Sequence, residues 1–343
     1  MSATGRVVGL GEVLLRLKSP GNERLLQSPS LEATFGGAEA NVIASLSQFG
    51  VPTAFVTALP ADPIGDAAIS ELRAFGIDTS AIARSGDRVG VYYLEAGAGP
   101  RSSGVVYDRA GSAMATARTE EFEWPRILGG AGWLHISGIT PAISAAAAAI
   151  TLDAARTARS LGITVSCDYN NRAKLWKWGK RARDVMPEII RNVDIGIAGR
   201  DDCQTMLGVD LPDAPRSPDA QWYGELAAAV IAAYPNLKKQ VITLRDGTTA
   251  DSQGWSACMH DGSRLYTSRR YQLDGIIDRV GGGDAFSAGL IYGILAYNDD
   301  ARALEFATAA SALKHFVPGD VNRVTVAEVE ALVAGEGGGR IRR

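Results

Sequence analysis

The sequence predicts an α/β fold: a doubly wound, mostly parallel sheet with a small β-sheet lid. Three observations predict it. Apolar strand-like runs alternate with helical patterns over residues 6–75 and again from 131 onward, which places helices on both faces of a parallel sheet. Between these stretches, Val89–Glu95 and Gly104–Arg109 flank the polar loop Ala96–Ser103, a hairpin signature. Two glycine-rich turns, Gly36-Gly37-Ala38 and Gly281-Gly282-Gly283-Asp284, each open a helical pattern.

In chain order, Arg6–Gly11 reads as a buried strand running into a turn, and Glu12–Leu17 alternates as a lid strand would. A helix follows the first glycine turn over 36–50, with Val42, Ile43, Leu46 and Phe49 on helical spacing. Thr53–Leu59 reads as a strand, and Pro63–Phe75 as a helix stopped by Gly76. The hairpin comes next; with Glu12–Leu17 and Arg24–Thr34 as further strands it predicts a lid from about 12–34 and 88–112. Gly132–Ser137, Ile163–Asp168, Val193–Ala198 and Gln240–Leu244 read as strands. Pro141–Leu161 reads as one long helix, followed by helices at Arg181–Arg191, Asp201–Leu207 and Gln221–Tyr234, with a loop at Pro212–Asp219. Trp255–His260 and Arg264–Tyr271 suit an antiparallel edge. Helices at Ala285–Tyr297, Ala301–Phe316 and Val326–Val333 close the pattern. Residues 1–334 read as a single domain, and 335–343 as a glycine-rich, basic, disordered tail.

Composition excludes several classes. The chain has 343 residues and a net charge of −3, so no basic field invites nucleic acid or an anionic membrane surface. No apolar run approaches the roughly 18 residues that span a bilayer, and no signal pattern opens the chain. Cys167, Cys203 and Cys258 are widely spaced and lack a Cys-x-x-Cys pair, which fits a reducing cytoplasm. His135, His260 and His315 are isolated and read as packed or surface residues. There is no Gly-x-x-x-x-Gly-Lys-Ser/Thr and no Gly-x-Ser-x-Gly, and Gly9-Leu10-Gly11 lacks the third glycine of a dinucleotide turn.

The chemistry concentrates at the second turn. Gly281, Gly282 and Gly283 sit at a helix N-terminus, where N–H groups and the helix dipole attract an anion. Asp284 stands beside them. As a plain N-cap it would compete with that anion. As a general base beside a phosphoryl site it would take a proton from an attacking hydroxyl. The first turn places Gly36, Gly37 and Ala38 ahead of Asn41, a close backbone approach with an amide suited to a polyhydroxylated ligand.

Gly36-Gly37-Ala38-Glu39-Ala40-Asn41 and Asp278-Arg279-Val280-Gly281-Gly282-Gly283-Asp284-Ala285-Phe286 resemble the two signatures of the ribokinase-like (pfkB-type) carbohydrate kinases, in the same order and over residues 6–334. The resemblance implies a kinase that moves the γ-phosphoryl of ATP, with Mg²⁺, to a sugar hydroxyl. It makes Asp284 the base and Gly281–Gly283 the anion hole. A monovalent-cation requirement stays open.

Tyr92, Tyr107-Asp108-Arg109, Asp168-Tyr169-Asn170-Asn171-Arg172 and Gly319-Asp320 are further similar to the pattern of 2-keto-3-deoxygluconate kinases. An acidic sugar needs cations, and Arg109 and Arg172 can supply them, with Tyr92 and Tyr107 adding hydroxyls. By the same matching Asp320 holds a sugar hydroxyl. Asn170, Arg172, Thr243, Arg245 and Gly247 contact nucleotide phosphates, and Ala310–Leu313 lies near the adenine. The family's Asn-x-x-Glu is replaced here by Gly199-Arg200-Asp201-Asp202, which leaves Asp202 as the Mg²⁺-side carboxylate, acting through water. Two readings stand beside the sugar-acid kinase: a neutral-sugar kinase such as a fructokinase or ribokinase, and a sugar-acid-binding protein that has lost catalysis. The exposed lid edges predict a homo-oligomer formed through the lid.

Overall fold

The strands made largely of buried residues pair parallel, as strands covered on both faces do. In the computed structural model, which describes residues 5–211, 219–247 and 249–336, they are Thr53–Val56, Arg6–Leu10, Ala131–Ser137, Thr164–Asp168, Ile195–Ala198 and Lys239–Asp246, in that spatial order. Ser252–His260 joins antiparallel, and Leu265–Thr267 and Tyr271–Asp274 both pair with it, making nine strands among the described residues. The expected doubly wound sheet is present.

Strand alternation sends side chains to two apolar layers. Val8, Leu134 and Val165 face one, shared with Ala154, Met186 and Val230 of the helices Ala145–Ser160, Ala182–Ile190 and Ala220–Ala233. Val7, Trp133, Ile197 and Val241 face the other, shared with the helices Ala38–Gln48, Pro63–Ala74, Gly282–Tyr297 and Asp300–Lys314.

A second sheet of four strands has the order Glu32–Gly36, Leu14–Lys18, Gly90–Glu95, Gly104–Asp108. Its middle pair is parallel and its outer pairs antiparallel. Leu14, Tyr92 and Leu94 are buried on its inner face. Leu17, Ala33, Tyr93 and Val106 adjoin one another in register on the opposite face, where Val106 is 55% exposed.

Several expectations change. The single helix at 141–161 is two, Thr140–Ile143 and Ala145–Ser160, because Ser144 is extended and its hydroxyl caps the second by accepting from Ala147 N. Thr53–Leu59 divides at Thr57; Ala58–Leu59 leaves the main sheet to pair with Ala83–Arg84. The first lid strand begins at Leu14 and the next only at Glu32. Arg264–Tyr271 is interrupted, giving the two short edge strands. Most of the loop expected at Pro212–Asp219 and of the tail expected at 335–343 lies outside the described residues.

One lid residue reaches far down. Arg16, only 2% exposed, donates from Nη2 to Asp278 Oδ2 at 2.7 Å and from Nη1 to Asp320, which also accepts from the Tyr92 hydroxyl. Removing one partner of such a cluster strands the other charges without water. Arg16→Met is expected to cost about 3–5 kcal/mol in urea denaturation; a loss under about 1 kcal/mol would show that this tie carries little.

Candidate active site

Arg6–Leu10 has Thr53–Val56 on one side and Ala131–Ser137 on the other, so strand order reverses beside it. Open α/β sheets bind ligands at such a reversal, outside the carboxyl ends of the strands. Here those ends open into a cavity of about 770 Å³. Strand ends contribute Glu12, Asp168, Gly199, Thr243 and Arg245; the lid contributes Tyr92, Tyr107 and Arg109.

The helix Gly282–Tyr297 aims its N-terminus at this cavity. Its N-cap, Gly281, has φ +80°, and a Cβ there would lie 1.8 Å from Asp320 O. Only glycine fits both constraints. The helical ladder starts with Ala285 N donating to Gly281 O at 2.8 Å, which leaves the earlier N–H groups outside it. Asp284, in the first turn, is buried and lines the cavity. Burial pushes its pKa up to about 7; the Asn41 hydrogen bond and Arg172 pull it down, while Asp320 and Glu39 add to the rise. Asn41 Nδ2 donates to Asp284 Oδ2 at 2.7 Å, and Asn41 Oδ1 accepts from Gly37 N at 3.3 Å. The two glycine turns are thus joined by one amide. Gly37 is needed for space, since a Cβ there would lie 2.1 Å from Glu12 O.

Guanidinium groups gather elsewhere in the same cavity. Arg172, Arg245 and Arg279 line it, and none of the three forms an ion pair among the described residues. Arg279 donates instead to the backbone oxygens of Ala250 and Thr249. Arg245 lies over the Trp255 ring, 5.4 Å from its centroid. Desolvation, then the like charges of Arg279 and Arg172, hold its pKa below the usual arginine value. Like charges brought together with no carboxylate in ion-pair contact favour an anion there.

Carboxylates lie nearby. Asp168 ends its strand, and desolvation together with the charges of Asp284 and Asp202 drives its pKa well up. Asp202 accepts from Gly199 N at 2.8 Å and from Asn171 N at 3.1 Å, so it closes the start of the helix Arg200–Leu207. Among the described residues no group of three or more His, Cys, Asp or Glu is placed to hold a metal ion.

The cavity brings together Gly37, Ala38, Asn41, Tyr92, Tyr107, Arg109, Asn170, Arg172, Asp202, Thr243, Arg245, Gly281, Gly283, Asp284 and Asp320. It does not include Gly36, Gly247 or Gly282. Gly36 makes room for the Asp320 carboxylate, Gly247 packs on Gln253, and Gly282 packs on His315. Gly282 N donates to Arg279 O at 3.3 Å. Residues 310–313 do not line the cavity; Ala310 and Ala312 are buried in the core. Arg109 lines the cavity, but its Nε donates to Glu12 Oε2 at 2.6 Å and its Nη2 to the same oxygen, so Glu12 already offsets its charge. Asp320 is likewise engaged by Arg16 and Tyr92. Glu12, Asp168 and Arg279 also line the cavity, beyond the site residues expected from the sequence. Asp168 and Arg279 stand inside the signature motifs, whereas Glu12 begins an alternating strand pattern with nothing local to mark it.

A family model described as pfkB family carbohydrate kinase matches residues 5–325. The chain belongs to the pfkB family of carbohydrate kinases. Its phosphoryl donor is accordingly ATP. The chain is similar to a Haloferax volcanii protein named 2-dehydro-3-deoxygalactonokinase, with 33% identity covering 97% of this chain and 98% of that one. A Bacillus subtilis 2-dehydro-3-deoxygluconokinase is 29% identical, over 85% of this chain and 84% of its own. The crystal structure of a Thermotoga maritima 2-dehydro-3-deoxygluconokinase superposes with a TM-score of 0.91 and 43% identity, covering 96% of this chain and 100% of that one.

A base must be ionised to accept a proton, and Asp284 ionises near pH 7. For this pfkB kinase kcat/KM should therefore fall about tenfold per unit below that pH and level off above it, since kcat/KM reports the free enzyme. A flat profile between pH 5 and 8 in a steady-state assay would contradict Asp284 as the titrating base.

Proposed function

We propose that the protein is an ATP-dependent 2-keto-3-deoxygluconate kinase (2-dehydro-3-deoxygluconokinase), or acts on the galactonate-derived epimer, phosphorylating the primary hydroxyl. One observation carries this reading: a single cavity holds a buried carboxylate poised near neutrality, Asp284, together with the cations Arg172, Arg245 and Arg279. The names of the Haloferax, Bacillus and Thermotoga relatives support the substrate class.

In this reading Asn41 orients Asp284, which takes the proton of the attacking hydroxyl. The hydroxyl oxygen bonds to the γ-phosphorus as the bond from phosphorus to the departing ADP oxygen breaks. The N–H groups of Gly281 and Gly283, residues that line the cavity, hold charge on the transferred group without reorganising. Arg245 and Arg279, with Asn170 and Thr243, bind the nucleotide phosphates. Because Glu12 occupies Arg109, Arg172 becomes the cation for the sugar carboxylate or for the phosphate next to it. Tyr107 and Ala38 line the sugar side.

The metal ligands fit Mg²⁺ of a particular kind. Asp168 and Asp202 are two carboxylates on one wall with no protein cage around them, and Mg²⁺ is commonly bound by one or two carboxylates, waters and phosphates. When bound there it would neutralise phosphate charge. The family match over 5–325 supports a single domain, with the lid as part of it. The apolar outer face at Leu17, Tyr93 and Val106 supports a homo-oligomer paired through the lid, and the buried, unpaired cysteines suit a cytoplasmic setting.

The test is an ADP-release assay with ATP and Mg²⁺ over 2-keto-3-deoxygluconate, 2-keto-3-deoxygalactonate, fructose and ribose. One of the keto acids is expected to exceed both neutral sugars in kcat/KM by at least about a hundredfold, since a site built for a polar group rejects analogues lacking it. Equal or better use of fructose or ribose would make this a neutral-sugar kinase. Keto-acid binding without ADP release would make it a binding protein.

A further inference from the structure

The turn that shapes the anion site rests on a lysine. Lys314 ends the helix Asp300–Lys314 and is the one fully buried lysine among the described residues. Its ammonium donates to the backbone oxygens of Asp278 at 3.3 Å and Val317 at 3.1 Å. Its stem runs beneath the N-cap of the active-site helix: a Cβ on Gly281 would lie 3.2 Å from Lys314 Cε. The backbone joins the same two segments, since Ile277 N and Asp278 N both donate to His315 O, at 2.9 and 3.2 Å.

The charges around this ammonium balance. Asp278 and Asp320 are buried carboxylates, and Arg16 bonds to both. With Lys314 the cluster holds two cations and two anions. Without it, a net negative charge would remain buried beside the N–H groups that must receive a phosphoryl group. Burial lowers the pKa of Lys314, while Asp278 and Asp320 favour its charged form. A single positive charge, out of water, facing carbonyl oxygens beside carboxylates, is also the setting in which a desolvated monovalent cation binds.

We infer that Lys314 is a tethered cation that positions the Gly281–Gly283 turn, and that this kinase therefore turns over without a bound monovalent cation. Lys314 touches no reacting atom; it is a positioning residue. The inference rests on the phosphoryl-transfer reading of that turn, but its stability readout does not depend on turnover.

The experiment compares wild type and Lys314→Ala in tetramethylammonium, potassium and ammonium chlorides at equal ionic strength. Both the rate of ADP release and the thermal midpoint are read. Wild type is expected to keep its kcat within about twofold in all three salts, with no specific midpoint shift in potassium or ammonium. Lys314→Ala is expected to lose at least about tenfold in kcat in tetramethylammonium, the scale of a weakened anion site, with a smaller change in KM for the sugar acid. Potassium or ammonium, able to enter the vacated space, should restore several-fold of that loss and raise the variant's midpoint. A wild type that needs potassium would overturn the inference. So would full activity of the variant in tetramethylammonium, or a loss that neither cation reverses. Should Lys314→Ala fail to fold, the wild-type salt comparison decides: independence supports the inference and potassium dependence overturns it. If neither protein releases ADP, the kinase reading fails, and the midpoint shifts still test whether Lys314 fills a cation site.

Discussion

Everything at this site depends on one turn, Asp278–Asp284, held in a conformation that no side chain at Gly281 would permit. The left-handed φ of Gly281 and the closeness of Asp320 O leave no room for a Cβ. Held this way, the turn points a helix N-terminus into the cavity and sets Asp284 on its rim. It is clamped from three directions. The lid reaches it through Arg16, the last third of the chain through Lys314 and Gly319, and the first glycine turn through Asn41. A charge cluster, a backbone and an amide together restrict where Asp284 can sit, the kind of positioning that proton transfer requires.

The electrostatics of the cavity divide in a useful way. Carboxylates are enclosed where water is scarce, so Asp284 and Asp168 resist ionisation. Arg279 and Arg172 crowd Arg245, which is buried and resists its own charge. An anionic ligand relieves the second of these by supplying counter-charge to the arginines, while a ligand hydroxyl gives Asp284 a proton to accept. The crowding at Arg245 is thus an unfavourable arrangement that a nucleotide phosphate would offset, a pattern common where stability has been traded for function.

Much of the fold was legible because its signals are local. Largely apolar runs alternating with helical patterns marked the parallel strands, and two β-rich runs around a polar loop marked the lid hairpin. The Gly281–Asp284 run marked a helix N-terminus with a carboxylate in its first turn, and both are present. What escaped depends on residues that meet only after folding. Arg16 looked like any member of an alternating strand, yet its partners lie far along the chain at Asp278 and Asp320. Arg109 read as a free cation because nothing local reveals Glu12 beside it. Ser144 sits in an alanine-rich helical pattern, and its capping bond to Ala147 N outweighed that pattern. Gly36 and Gly282 belong to the signatures but serve packing against Asp320 and His315. A motif therefore marked the place without assigning each of its members a role.

The central claim is that Asp284 is the base of a phosphoryl transfer. The most direct measurement is the kcat of Asp284→Asn at saturating ATP and sugar acid, with binding of both checked by calorimetry. Asparagine keeps the shape and can still accept from Asn41, but it cannot take a proton. The account predicts a fall of at least about a hundredfold with binding retained, since general-base catalysis contributes about 10²–10⁴. Near-normal turnover would contradict it and leave Asp284 as a buried first-turn carboxylate held by Asn41.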